Sequence, residues 1–341
     1  MRISEKTVNH CRPTQRMRAL IGAKAKKLSG VSTEELHAAI VDMRASLGRP
    51  VKAPPWAKTA IPSGGAGIPV LFFSDAQWGE YVSSGEMDGV NSYDESIAQR
   101  RYAELIDTMC SLCTKHLRSS KFPGMYYLRG GDNISGEIHD ELTATNDLSS
   151  VRAVRSLVAS ELAGIKKLVK TFGRVHVISV PGNHGRLTQK KYSKEYAYRN
   201  FDTLSAWWLE SAIREIPELA KRVTFFTPES GDAVFTLYGK NYLLTHGDRI
   251  GTKSGSLVSL NAGMKRCVDY YAALGTILEK VLIGHYHNSL ELEWGWVNGC
   301  LPGITEYARD LRMKPRPPSQ WMFMIHPAHG VTVRWLIQLS K

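Results

Sequence analysis

Five short segments of the 341-residue chain set Asp, Asn, Gln or His beside glycine. They are Ser74-Asp75-Ala76-Gln77-Trp78-Gly79, Gly130-Gly131-Asp132-Asn133, Pro181-Gly182-Asn183-His184-Gly185-Arg186, Thr245-His246-Gly247-Asp248 and Gly284-His285-Tyr286-His287-Asn288. Carboxylate, amide and imidazole without thiolate suit Mn, Fe or Zn in a site rich in oxygen and nitrogen. Two such ions about 3.5–4 Å apart can share a carboxylate, activate a water and stabilise both oxygens of a phosphoryl displacement. One Gly-Asp or Gly-His is most often a turn. Five in succession, each directly after an apolar run, point to phosphoester hydrolysis by a metal-bound hydroxide, with no covalent intermediate.

The elements that must position these groups are short buried strands. Residues 69–74, 125–128, 175–180, 241–245 and 281–283 read as strands, and helical patterns fall near 94–117, 147–171, 201–213 and 255–280. Residues 290–297, 321–325 and 331–337 read as further strands with more alternation. This is an α/β chain with a strand-rich end and no internal repeat. Open α/β sheets place their sites at the carboxyl ends of strands, where each of the five segments falls. Glycine beside a ligand lets the backbone turn sharply and approach closely.

Over residues 68–300 the order of these motifs resembles that of the calcineurin-like metallophosphoesterase superfamily, which includes DNA-repair nucleases and phage-encoded members. The resemblance implies a four-layer sandwich, two mixed β-sheets flanked by helices. It implies two divalent ions, Mn first and Fe, Zn or Mg as alternatives. Asp75, Gln77 and His287 would hold the first ion, Asp132 would bridge, and Asn183, His246 and His285 would hold the second. His184 would contact the phosphate and protonate the leaving oxygen. Two positions depart from the pattern. Gln77 stands where the family usually has histidine, and an amide oxygen binds a metal more weakly than imidazole. Gly185 stands where the family often has an acidic residue, so His184 must be oriented by another carboxylate or a backbone group.

Charge sets the rest of the organisation. The chain carries 44 Lys and Arg against 32 Asp and Glu, a net of +12. Residues 1–60 hold 12 basic and four acidic residues, and the other 281 hold 32 and 28. Two thirds of the excess therefore lies in residues 1–60, most of it in a basic N-terminal region (1–48) read as two amphipathic helices. A Pro/Gly linker (49–67) separates it from a catalytic domain (68–341). A basic arm favours a polyanion, so nucleic acid or a nucleotide phosphodiester leads as substrate. A phosphoprotein or a small phosphomonoester is the alternative. A non-catalytic metal-binding scaffold, or a DNA-binding protein working through its N-terminal helices, is a further class.

Hydrophobic content of 43% excludes global disorder, and no run approaches the roughly 18 apolar residues of a membrane span. Without an apolar signal core the expected compartment is the cytoplasm. Five cysteines make a disulfide framework improbable, and the lone Cys110-x-x-Cys113 lacks a second ligand pair. Arg129 and Arg186 are candidate phosphate contacts, each with a structural ion pair as the competing reading. His139 is a candidate for the cleft wall, and the basic, proline-rich run 306–318 for a substrate groove or a solvated loop. Tyr192, Tyr196, Tyr198, Trp207 and Trp208 lie among Lys and Arg, a pattern that can stack bases while pairing phosphates. For the two tryptophans, packing on the core is the competing reading.

Overall fold

The computed structural model describes residues 50–58, 67–117, 122–251 and 256–340. The two N-terminal helices read from the sequence lie outside these residues. Among the described residues eleven strands form two mixed sheets. The first has the order β11-β10-β1-β2-β3-β4, built from β1 (Ile68–Phe73), β2 (Met125–Arg129), β3 (Val175–Ser179), β4 (Val223–Phe226), β10 (Ser319–His326) and β11 (Gly330–Gln338). In it β1 to β4 run parallel, and β10 and β11 add antiparallel. The second has the order β5-β6-β7-β9-β8, from β5 (Ala233–Leu237), β6 (Lys240–Leu244), β7 (Leu278–Ile283), β8 (Leu290–Leu292) and β9 (Gly295–Val297). Its central strands β6, β7 and β9 are parallel.

The period-two alternation of strands builds the layers. Ile68, Val70 and Phe72 of β1 and Tyr126 and Leu128 of β2 face the second sheet, where they meet Phe235, Tyr242, Leu244, Leu282 and Trp296. The alternate residues Leu71, Phe73 and Tyr127 face outward onto α1 (Glu95–Ser111) and α2 (Ser150–Phe172), packing with Tyr102, Leu105, Val154 and Leu157. On the far face of the second sheet, Leu243, Val281 and Ile283 pack against Leu260, Met264 and Tyr271 of α4 (Leu257–Ala273). A further helix, α3 (Phe201–Arg214), covers the first sheet beside α2. The result is four layers, helix, sheet, sheet and helix. Emptying one position of the inter-sheet layer, as Phe72→Ala would, costs about 3–5 kcal/mol.

Two readings from the sequence are corrected, and a third is kept. Residues 50–58, read as part of the linker, pack on the second and first sheets. Val51 donates its amide to Val234 O (2.6 Å) beside the edge strand β5, and the buried Trp56 meets Tyr126 edge-on at 5.7 Å. An apolar Trp preceded by two prolines is worth more buried than solvated, which holds this stretch down. The helix read over 255–280 ends at Ala273 and β7 begins at Leu278, because Gly275 takes a left-handed φ of 84° between them. Cys110 and Cys113 are buried in the helix-side core, and burial pushes the Cys113 thiol up to about 12. They act as small apolar side chains, not as ligands. No helix among the described residues is long and apolar enough to cross a membrane.

His176 of β3 lies in the inter-sheet layer with its ring edge-on to Tyr126 at 5.1 Å, and Nδ1 is 2.7 Å from Thr224 Oγ1. Burial lowers its pKa to about 4, the contact with Thr224 opposing. An unfolded histidine titrates near 6.5, so between these values the unfolded chain holds the extra proton and stability rises with pH. From pH 7 to pH 5 the wild type is expected to lose about 2 kcal/mol more than His176→Gln. Urea unfolding of both at the two pH values checks this, and equal losses would show that His176 stays neutral in neither state's favour.

Candidate metal centre

All five segments follow the carboxyl ends of parallel strands: β1, β2 and β3 in one sheet, β6 and β7 in the other. Backbone hydrogen bonds lace neighbouring loops together. Asp75 N donates to Gly131 O (2.9 Å), Gln77 N to Asp132 O (3.0 Å) and Gly284 N to His246 O (2.8 Å). Two further bonds cross between the sheets. His285 N donates to Asp75 Oδ1 (2.8 Å), and His246 Nδ1 lies 2.9 Å from Gly130 O. The five loops thus form one floor.

The side chains on that floor converge. One ligand atom each of Asp132, His246 and His285 lies within 4.8 Å of the others. His287 Nε2 is 3.3 Å from Asp75 Oδ1. Beneath Asp75, the Ser74 hydroxyl donates to Asp75 Oδ2 (2.5 Å), and Asn298 Nδ2 and Gln320 hold Ser74 in turn. Asp132 Oδ1 accepts from His184 N at 2.7 Å, which leaves Oδ2 for another partner.

Whether these residues fit a cation can be tested on their unmet polar atoms. Asp132 Oδ2 and His246 Nε2 are 2.9 Å apart, yet neither is hydrogen bonded. In the neutral tautomer that donates Nδ1–H to Gly130 O, Nε2 carries a lone pair. A carboxylate and an imidazole lone pair set side by side repel unless a proton or a cation sits between them. Both side-chain atoms of the buried Gln77 amide and Asn183 Oδ1 are also without partners. An unmet buried polar group costs about 1–3 kcal/mol. Several of them, on four loops that are hydrogen bonded to one another, fit a metal ion. Imidazole held by a backbone carbonyl through its other nitrogen is the usual arrangement of a metal-binding histidine.

The backbone is held in unusual conformations at the same place. Asp75, Gln77, Asp132, His285 and His287 all have positive φ, between 45° and 69°. Outside glycine this region is sparsely populated, and strain of this kind gathers at functional sites. The charges are mutually adjusted as well. Burial disfavours the Asp132 carboxylate, but His246 and His184 beside it outweigh that and hold it below the usual range. Burial also opposes the charged form of His246, but Asp132 pushes it up to about 10. Burial, with His246 adding, lowers His285 to about 4.

The question left by Gly185 has a structural answer. His184 Nδ1 lies 2.8 Å from the carbonyl oxygen of Ser135, so a backbone group orients the ring. A Cβ at Gly185 would come within 2.3 Å of Asn200 Oδ1. An acidic side chain therefore has no room there. Asn200 and Asp202, at the start of α3, occupy that space. Asn200 Nδ2 donates to Gly182 O (2.7 Å), and the Asp202 carboxylate accepts from the amides of Asp132 (2.9 Å), Asn133 (3.0 Å) and Gly182 (2.9 Å). Sequence reasoning missed both residues. The visible signal was an Asn two before an Asp at the head of a helical run, an N-cap pattern.

The remaining candidates separate. Arg129 is fully buried, its donors spent on Glu161 (2.8 and 3.0 Å), Ser179 Oγ (2.8 Å) and Ser205 Oγ (2.7 Å). It is a structural ion-pair partner and not a phosphate contact. On β2 it shares the outward face with Tyr127, which turns it toward α2. Arg186 donates to the carbonyls of Asn183, Thr188 and Gln189, so it braces the loop after His184 with three of its five N–H groups. His139 is exposed, with its ring 5.9 Å from that of His184. In the run 306–318, residues 309–317 are all exposed, which is the solvated-loop reading. Glu80, not anticipated, faces the same cleft. Burial raises its carboxyl to about 7, with His287 pulling it down and Glu306 and Glu141 pushing it up.

No protein-family model matches the chain, and no curated protein does. Among solved structures, a dimetal phosphatase from Danio rerio is similar at 10% identity, over 80% of this chain and 99% of its own, with a TM-score of 0.36. A candidate 5'-nucleotidase from Staphylococcus aureus, solved with α-ketoglutarate, is similar at 13% identity over 80% of this chain, with a TM-score of 0.33. The chain spans about half of that second protein, 54% of its length. Likeness of this degree decides neither fold nor chemistry, and both rest on the geometry above.

Asp202 binds no candidate ligand through its side chain, only the amides of the loops that carry them. Asp202→Asn puts an NH2 group against at least one of those amides. Mn affinity is expected to fall about ten- to a hundredfold while the circular dichroism spectrum is retained. Isothermal titration with Mn reads this directly, and an unchanged affinity would remove Asp202 from the support of the site.

Proposed function

We propose that the chain hydrolyses phosphoester bonds with two divalent cations, as calcineurin-like metallophosphoesterases do, and that its substrate is a phosphodiester in nucleic acid or a nucleotide. The observation that carries this reading is the meeting of five strand-end loops at a set of unpartnered carboxylate, amide and imidazole atoms. Asp75, Gln77 and His287 are assigned to one ion, Asn183, His246 and His285 to the other, and Asp132 to both. Mn suits this oxygen- and nitrogen-rich set. When bound, such a pair supplies Lewis acidity toward the phosphoryl oxygens and lowers the pKa of a coordinated water.

The chain's own groups do the rest. The laced loops fix the ligands before substrate arrives, so little reorganisation accompanies reaction. Asp132, held ionised by its histidine neighbours, would supply negative charge to both cations. His184, oriented by Ser135 O, stands beside Asn183 and is assigned to hold a phosphate oxygen and to give a proton to the leaving oxygen. Arg186, tied to the backbone of the same loop, keeps two N–H groups for an anion.

With added Mn the protein is expected to hydrolyse bis(p-nitrophenyl) phosphate, and Asp132→Ala or His246→Ala to abolish turnover together with bound metal. Metal content by plasma mass spectrometry accompanies the assay. An active, fully loaded Asp132→Ala protein would overturn the two-ion assignment. Gln77→His replaces an amide ligand by imidazole and is expected to tighten Mn binding at the first ion. A titration unmoved by that change would place Gln77 outside the ligand set. A panel of single- and double-stranded DNA, RNA, cyclic nucleotides and aryl monoesters ranks the substrates.

A further inference from the structure

Immediately after His184 the chain makes a loop of unusual composition. Residues 186–200 hold five basic side chains and one acidic one. The loop closes on itself at its foot, where Arg186 and Asn200 bridge and Leu187 N donates to Arg199 O (3.0 Å). Its middle is fastened to the metal centre. Buried Tyr196 donates to Asp248 Oδ1 (3.0 Å), Arg249 covers its ring at 4.1 Å, and Lys191 Nζ reaches Asp248 Oδ2 (2.7 Å), two residues past His246.

From this anchored loop the chain enters α3, and the two faces of that helix differ in kind. The inner face carries Asp202, clamped to the metal loops, with Ala206, Leu209 and Ile213 in the core. The outer face carries Leu204, Trp207 and Trp208 at helical spacing. The tryptophans are 42% and 44% exposed, so the core-packing reading of them is set aside. Tyr198, half exposed at the end of the loop, stands with its ring 6.1 Å from that of Trp207. Burying a large aromatic is worth about 1.5–3 kcal/mol, and an apolar patch left in water marks a surface that binds something.

We propose that Tyr198, Trp207 and Trp208 form a stacking platform for the bases of a single-stranded nucleic acid, with Lys190 and Lys194 of the adjoining loop pairing its phosphates. The choice of occupant follows from the chemistry side by side on this surface. Aromatic faces accept any base, and a basic loop complements a phosphate backbone. A duplex hides its base faces, so an unpaired strand fits the exposed rings where a duplex does not. The loop begins two residues after His184, so a strand lying on it is led toward the metal centre. Binding to the platform is independent of catalysis. Its consequence, that the strand is presented for cleavage, rests on the phosphodiesterase reading.

The test uses full-length protein and fluorescein-labelled oligothymidylate, in EDTA so that no strand is cut. Fluorescence anisotropy gives Kd, and tryptophan emission reports stacking. Trp207→Ala with Trp208→Ala is expected to weaken binding about ten- to a hundredfold, while the paired Phe substitutions stay within about threefold. Hydrolysis of bis(p-nitrophenyl) phosphate with Mn is expected to be the same in all three proteins, which also shows that each is folded. Unchanged affinity in the double alanine variant would overturn the platform and leave binding to the N-terminal basic region. A wild-type dimer in sedimentation that the alanine pair converts to monomer would overturn it in favour of a contact between copies. Tryptophan-dependent binding without any aryl diester hydrolysis would support the platform and remove the hydrolytic reading instead.

Discussion

The carboxylate of Asp202 accepts hydrogen bonds from the amides of Asp132, Asn133 and Gly182, and the candidate metal centre depends on that contact. The two loops it joins belong to β2 and β3, and the acceptor sits at the head of a helix packed outside the sheet. Without it, the amides at the crossing of these loops would be buried and unmet, at about 1–3 kcal/mol each. Asp202 is not free of strain itself. Burial and the nearby Asp132 push its pKa up, and the amide of Gly182 opposes them. A carboxylate that accepts three N–H groups on both oxygens must be ionised to serve all three. Two carboxylates close together in a buried site are tolerable only when positive charge lies near, which the candidate histidines supply in part and cations would supply fully.

The same balance explains the five left-handed backbone positions. A non-glycine residue in this region is held there by its surroundings, and here the surroundings are the amide–carbonyl bonds that lace one loop to the next. Gln77 shows the trade most plainly. Its backbone is fixed by Asp132 O, its φ is 45°, and its side-chain amide is buried with neither atom partnered. Nothing in the protein rewards that arrangement. A cation taking the lone pair of the amide oxygen would. An amide also takes no proton, so a ligand of this kind does not exchange metal for H⁺ as the pH falls, whereas histidine does.

Much of this was legible in the sequence, because strand-end motifs are written in side chains. Asp75, Asp132, His246 and His285 stand within a few residues of the ends of apolar runs, and the strands that carry them are short and mostly apolar. What was not legible has physical causes. Asp202 acts on residues about 70 positions away, and nothing local links them. Ser135 orients His184 through its carbonyl, a group every residue has. Strand β4 is buried at one end only, so it lacks the continuous apolar run of a central strand. Arg129, by contrast, was decidable. It has the parity of Tyr127, not of Leu128, and β2 therefore points it at Glu161 under the helices. Taking away one partner of that buried pair would cost about 3–5 kcal/mol, which is a stability effect and no measure of phosphate binding.

Helix α3 joins the two levels of organisation in one rigid element. Its inner face holds the loops that bear Asp132 and Asn183, and its outer face presents Trp207 and Trp208. A fourteen-residue helix cannot tilt to suit a strand on one side without moving Asp202 on the other. The inner contacts and the outer aromatics therefore share one frame, Asp202 on the side of the metal loops and Trp207 and Trp208 on the other. The constraint also runs inward to outward. Fixing the metal loops fixes the helix, and so sets where an aromatic surface stands relative to the centre it would serve. That coupling gives a reason for large aromatics in water on this helix, where a fold alone would have placed polar side chains.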